Sequence, residues 1–99
     1  MNVNMNPKIA QWMINMNENH PSAWEFVKST VDRMAERDGF EPIMFLAGIS
    51  KAYDLYNRMQ PGTGMAQSLL DDIESAAIRR DNAQIERLCR AIIGMGMFL

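Results

Sequence analysis

Apolar residues recur along this chain every three or four positions, the spacing that places them on one face of an α-helix. Prolines at positions 7, 21, 42 and 61 and a glycine at position 39 divide these stretches, and such residues are typical of helix starts and ends. No stretch shows the strict alternation that predicts a strand. The pattern therefore predicts one all-α domain spanning residues 1–99, a compact bundle of helices at about 7–18, 23–37, 42–59, 65–79 and 82–93.

The third predicted helix has the widest apolar face. On a helical projection its polar residues occupy about a third of the circumference; these are Ser50, Lys51, Asp54, Asn57 and Arg58. Apolar residues fill most of the remainder, about twice the ~100° stripe that a one-sided surface helix needs. We therefore expect this helix to be the centre of the bundle, with its polar residues facing solvent.

The ends of the other helices carry recognisable capping signals. Asn6, which precedes a proline, and Asp81 are predicted N-caps of the first and fifth helices. Ser22 and Glu25 have the spacing of a capping box for the second helix. Gly39 suits the left-handed position that follows the last turn of that helix.

Composition and charge narrow the class of protein. The 99 residues are 47% hydrophobic and 22% charged with a formal net charge of −2, as in folded globular domains without a polyanion-binding arm. Cys89 is the only cysteine, so a reducing compartment, the cytoplasm, is expected. We expect neither a signal peptide nor a membrane span, because the longest apolar run, residues 91–99, is much shorter than the ~20 residues a spanning helix needs.

Residues suited to catalysis or metal binding are few. His20 is the only histidine, and with a single cysteine this is too few for a typical zinc site of three or four ligands. Cys89 lies on the apolar stripe of the fifth helix, where a buried thiol is expected. Asp71 and Glu74 share a helix face and are interpreted as solvated surface. We therefore expect no enzymatic activity, no cofactor and no metal.

A cluster of arginines supports an alternative function. Residues 79–90 contain four arginines and two carboxylates, a local charge of +2. Positive side chains on one surface are typical of phosphate contacts in nucleic-acid binding. The alternative is therefore a small DNA-binding transcriptional regulator, with contacts from Arg79, Arg80, Arg87 and Arg90.

Methionine is unusually frequent, with ten in the chain. Methionine side chains fill irregular gaps in cores and also adapt to varied partners. The first helix and the C-terminus carry apolar residues that either pack on the chain's own core or meet a partner. We expect these residues to form a candidate protein interface: Trp12, Met13, Met16, Met95, Met97, Phe98 and Leu99. The glycines at 94 and 96 predict a non-helical tail.

These observations favour a non-enzymatic helical module that binds protein. Its expected role is that of an adaptor, regulator or inhibitor of a larger protein, a class that includes phage-encoded proteins. A homodimer is expected rather than a monomer, because the third helix and the C-terminus offer more apolar surface than one small core needs. A nucleic-acid partner is the less favoured possibility.

Overall fold

Five helices make up the part of the protein that the structure describes. The computed structural model describes the backbone of residues 6–97 and the side chains of residues 6–94. Over this part the chain forms α-helices joined by short turns, without a strand, and the predicted all-α bundle is confirmed. The helices are α1 (Pro7–Asn19), α2 (Pro21–Asp38), α3 (Ile43–Met59), α4 (Met65–Ile78) and α5 (Asn82–Met97).

The helices share one hydrophobic core. Each contributes a side chain with at most 1% of its surface exposed, namely Ile9, Val27, Ile49, Ile73 and Ile92. α3 packs most extensively on α5 and also contacts α4, while α5 also contacts α2 and α4. The centre of the bundle is therefore shared between α3 and α5. α1 packs on α2.

The backbones of α3 and α5 approach each other at Gly48. A Cβ atom built on this glycine lies 2.9 Å from both the carbonyl oxygen and the Cγ2 of Ile92. Such distances are far inside van der Waals contact, so the crossing requires a residue without a side chain. Gly94, also helical, has no atom within 4 Å of the corresponding position.

Three of the predicted helix ends are confirmed. The Asn6 side chain accepts a hydrogen bond from the Lys8 backbone N–H at 2.8 Å. Asp81 Oδ1 accepts from the Gln84 backbone N–H at 3.1 Å. Gly39 follows α2 in the left-handed conformation, with φ of 77°. The caps at Asn6 and Asp81 are specified locally, because the bonded groups are within three residues of each other.

The predicted capping box at the start of α2 is wrong. The helix begins at Pro21, two residues before the predicted start, without a side-chain cap. Proline suits the first helical position because it has no N–H to satisfy there. Ser22 instead accepts a hydrogen bond from Arg80, and Glu25 forms an ion pair with Lys28 at 2.7 Å.

The prediction that Ser50 faces solvent is also wrong. Only 3% of its surface is exposed, and its hydroxyl accepts a hydrogen bond from the Asn6 backbone N–H at 2.9 Å. The Asn6 side chain in turn donates to Asp54 Oδ1 at 2.5 Å. These two bonds attach the beginning of α1 to the polar side of α3.

The end of α5 differs from the prediction as well. The helix continues to Met97, four residues beyond the predicted end at 93. The expectation that the glycines at 94 and 96 prevent a helix is therefore wrong: each costs ~1 kcal/mol relative to alanine, and the burial of Ile85, Cys89 and Ile92 in the same helix offsets that cost. The side chains of Met95 and Met97, with residues Phe98 and Leu99, lie outside the described part. Of the helices over residues 6–97, none has the length and apolarity to cross a membrane.

Candidate functional site

An apolar groove opens between α2 and the beginning of α3, with part of one wall from α1. Its volume is about 400 Å³, within the ~300–1,000 Å³ typical of binding pockets. Side chains from three helices line it, most of them apolar: Met13, Trp24, Val27, Val31, Pro42, Ile43, Phe45 and Leu46, with Lys28 and Asp32 beside them.

The groove has a buried floor and an exposed rim. Val27 is fully buried, and Phe45 and Trp24 have 3% and 7% of their surface exposed. Ile43, in the first turn of α3, is 37% exposed, and Leu46 is partly buried. Exposed aliphatic side chains beside an aromatic floor are typical of surfaces that bind apolar groups of a partner.

The charged residues beside the groove are not equivalent. Lys28 forms an ion pair with Glu25, with 2.7 Å between Nζ and Oε1. Asp32 forms no ion pair with any residue over 6–94. The groove therefore presents one carboxylate that has no ion-pair partner in the described part of the chain, which favours a partner carrying a positive charge.

The apolar face of α1 lies mostly in the core. Trp12 is 7% exposed and Met16 is fully buried, so neither presents its side chain to a partner in this fold. Trp12 packs edge-on against Trp24, with ring centroids 5.8 Å apart. Met13 is the one residue of the three that lines the groove. Trp12 and Met16 therefore contribute mainly to the core, and Met13 is the candidate interface residue beside the groove.

Two of the clustered arginines lie at the turn between α4 and α5. Arg79 Nη1 donates to Ser75 Oγ at 2.5 Å. Arg80 Nη1 donates to the carbonyl of Ala77 at 2.9 Å, and its guanidinium carbon lies 5.5 Å from the ring centroid of Phe26. The Arg80 backbone has φ of 58°, a conformation costly for a residue with a side chain. Through these contacts Arg80 joins α2 to the α4–α5 turn.

The other two arginines also have partners within the chain. Arg87 donates to Gln84, and Arg90 lies 3.9 Å from Glu86. Each of the four arginines therefore interacts with an oxygen atom of the protein itself. Exposed pairs of this kind contribute little to stability, and they reduce the charge offered to a phosphate.

A polar cluster between α2 and α5, in which Thr30 is the buried member, is not evident from the sequence. Thr30 is 1% exposed; its hydroxyl lies 3.2 Å from Asn82 Oδ1 and accepts from Arg33 Nη2 at 3.1 Å. Arg33 also donates to Asn82 at 3.0 Å. Arg37, one turn further along α2, forms an ion pair with Glu86 of α5 at 2.9 Å. These contacts join α2 to the first turns of α5 and give the buried Thr30 hydroxyl its hydrogen-bond partners.

The single cysteine is not arranged as a nucleophile. Cys89 has 1% of its surface exposed. The pKa of its thiol is raised to about 12, mainly by burial and also by the nearby charge of Glu86, while Arg90 partly opposes the shift. Because the thiolate is the reactive form, Cys89 is inert at neutral pH.

The acidic residues of α4 lie on the surface. Asp71 and Glu74 border a shallow depression that also contacts Ser75, and Glu74 lies 3.2 Å from His20 Nε2. No group of three or more histidine, cysteine, aspartate or glutamate side chains suited to a metal ion occurs over residues 6–94. The groove remains the candidate binding site, because most of the side chains that line it are apolar.

Comparison of the chain with known protein families, with curated proteins and with solved structures finds no match. A function for the protein is therefore inferred from its own surface. The relevant features are the groove, the carboxylate of Asp32 beside it, and the internal contacts of the arginines.

Proposed function

We propose that the protein is a non-enzymatic module that binds another protein through the groove between α2 and α3. The observation that carries this proposal is the apolar floor beneath an exposed rim at Ile43. An amphipathic helix that lays its apolar side chains into a groove between two helices is a common mode of peptide recognition. In this role the protein acts as an adaptor, regulator or inhibitor of a larger protein.

The chemistry of the groove defines the partner. Its floor takes aliphatic or aromatic side chains, and Met13 adapts to their shape because methionine has a flexible, polarisable side chain. Asp32 favours a lysine or arginine beside those apolar side chains. A second copy of this chain is one such partner.

The proposal places the protein in the cytoplasm. Its only cysteine, Cys89, is a buried free thiol rather than half of a disulfide. Free thiols of this kind are usual in reducing compartments.

A DNA-binding role of the arginine cluster is the alternative. The exposure of Arg79 and Arg90, with 57% and 58% of their side chains accessible, favours it. Their interactions within the chain oppose it, as does the low net charge. We expect no binding to duplex DNA in a fluorescence anisotropy titration at ~50 mM salt, where electrostatic affinity is strong. Binding at that salt, lost when Arg87 and Arg90 become alanine, would establish the alternative.

Affinity capture from an extract of the native host tests the groove. Ile43→Glu places a charge on the rim, and Ile78→Glu makes the same change at an isoleucine that is 52% exposed at the end of α4. We expect a protein that wild type and Ile78→Glu retain and that Ile43→Glu loses, with unchanged circular dichroism. Equal retention by all three chains, or by none, would refute the proposed role of the groove.

A further inference from the structure

A second apolar feature lies at the other end of α3. Met59, the last residue of the helix, is 68% exposed, and Met65, the first residue of α4, is 41% exposed. The turn at 60–64 joins them. We call Met59, Met65 and this turn the methionine knob. α3 has 17 residues, so the knob lies about 25 Å from the groove end of the helix.

We propose that the groove of one copy of this protein binds the methionine knob of a second copy, so that the chains associate head to tail. This inference rests on the proposed function, since it requires the groove to be a binding site. Because groove and knob are different surfaces, each bound pair leaves the groove of one copy and the knob of the other free. Contacts of this type extend into rings or filaments rather than closing as a two-fold dimer.

The two surfaces are chemically complementary. The knob offers two flexible thioether side chains, and the floor of the groove offers the rings of Trp24 and Phe45. Sulfur–aromatic contacts are favourable, and methionine adapts to an irregular cavity. At about 400 Å³ the groove is a concavity of ordinary pocket size,. Transfer of Met59 and Met65 out of water supplies the driving force.

Charges on the two surfaces are also complementary. Arg58 precedes the knob and forms no ion pair with a residue of the described part. Asp32 beside the groove and Glu41 next to its Pro42 wall likewise have no ion-pair partner over residues 6–94. Lys28 also lies beside the groove, but it is paired with Glu25. A cation at one surface and two carboxylates without partners at the other favour this orientation over contact between like surfaces.

Sedimentation velocity of the wild-type chain measures the association. The contact is small compared with the ~1,000 Å² of a stable interface, so the mass should rise with concentration between ~10 µM and ~1 mM. Species larger than a dimer are expected at the top of this range. A monomer throughout, or a dimer that never grows, would overturn the inference.

Two complementary variants test the head-to-tail geometry. The first, Ile43→Glu, blocks the groove; the second, Met59→Glu with Met65→Glu, blocks the knob. All three residues are exposed, so the core is retained, as circular dichroism should confirm. Each variant alone should remain monomeric, while an equimolar mixture should form a 1:1 dimer and nothing larger. The control Ile78→Glu should associate as wild type does.

The outcomes separate this inference from the proposed function. Association of either variant alone, or a mixture that stays monomeric, would overturn the head-to-tail contact. If wild type is monomeric but still retains a host protein that Ile43→Glu loses, the head-to-tail contact is wrong and the proposed function stands. If neither self-association nor retention depends on Ile43, both are wrong.

Discussion

The beginning and the middle of α3 lie about one helical turn apart, yet they have different surroundings. In the middle, the backbone at Gly48 touches Ile92 of α5, and Ile49 is fully buried. At the beginning, Ile43 is 37% exposed beside a groove of about 400 Å³, and Leu46 is partly buried. The middle therefore holds the helices together, while the beginning leaves apolar surface open to a partner. One amphipathic helix serves both purposes because its apolar face is wider than its neighbours cover.

The largest difference between the two segments is expected in the free energy of unfolding when one side chain of each is truncated. Ile49→Ala removes atoms from a fully packed site and is expected to lower the free energy of unfolding by about 2–5 kcal/mol. Leu46→Ala acts at the groove, where no closed cavity forms, and should cost less than about 2 kcal/mol. Urea denaturation followed by circular dichroism measures both. Equal costs would mean that the two segments are packed alike.

Replacing a glycine with alanine should change the free energy of unfolding by a smaller amount. The change should have opposite signs at two glycines of the bundle. Gly48→Ala forces the α3–α5 crossing apart and is expected to cost about 1–3 kcal/mol. Gly94→Ala enters open space within a helix and should add about 0.5–1 kcal/mol of stability. Thermal unfolding of the two variants beside wild type decides the matter. A stabilised Gly48→Ala protein would contradict the close approach of α3 and α5.

The smallest effect on the free energy of unfolding at ordinary pH is expected from ionisation of the thiol of Cys89, which is buried on the α5 side of the core. Its folded-state pKa of about 12 lies above the ordinary value of 9.0. Its contribution to stability is therefore complete below pH 9 and is lost as the pH rises from 9 towards 12, with a slope of at most ~1.4 kcal/mol per pH unit. Urea unfolding at a series of pH values, with Cys89→Ala as reference for other titrating groups, tests this. Parallel curves for the two proteins would show that the thiol is not shielded.

The helices and most of their buried faces are predictable from the sequence, because both depend on residues that lie close together in the chain. Helical spacing predicts the burial of Ile9, Val27, Ile49 and Ile73, and capping residues predict ends such as Asp81. The tertiary environment decides the exceptions. Ser50 is polar, yet it is buried because it bonds to Asn6, 44 positions away in the chain.

The candidate site is only partly predictable, for a related reason. An apolar stripe such as that of α1 indicates that a surface is covered, but not whether by the same chain or by another. The structure covers Trp12 and Met16 with the protein's own core and leaves Met13 at the groove. The groove itself arises from the relative placement of α2 and α3, which no local pattern encodes.

Hydrogen–deuterium exchange of the protein, alone and bound to the host protein that it retains, tests the central claim most directly. Free of partner, the amides of residues 48–53 should exchange as slowly as global unfolding allows. On binding, protection should increase at residues 24–32 and 42–46, which form the groove, and stay unchanged at residues 71–79. New protection at the arginine-bearing segment 79–90, with none at the groove, would contradict the account.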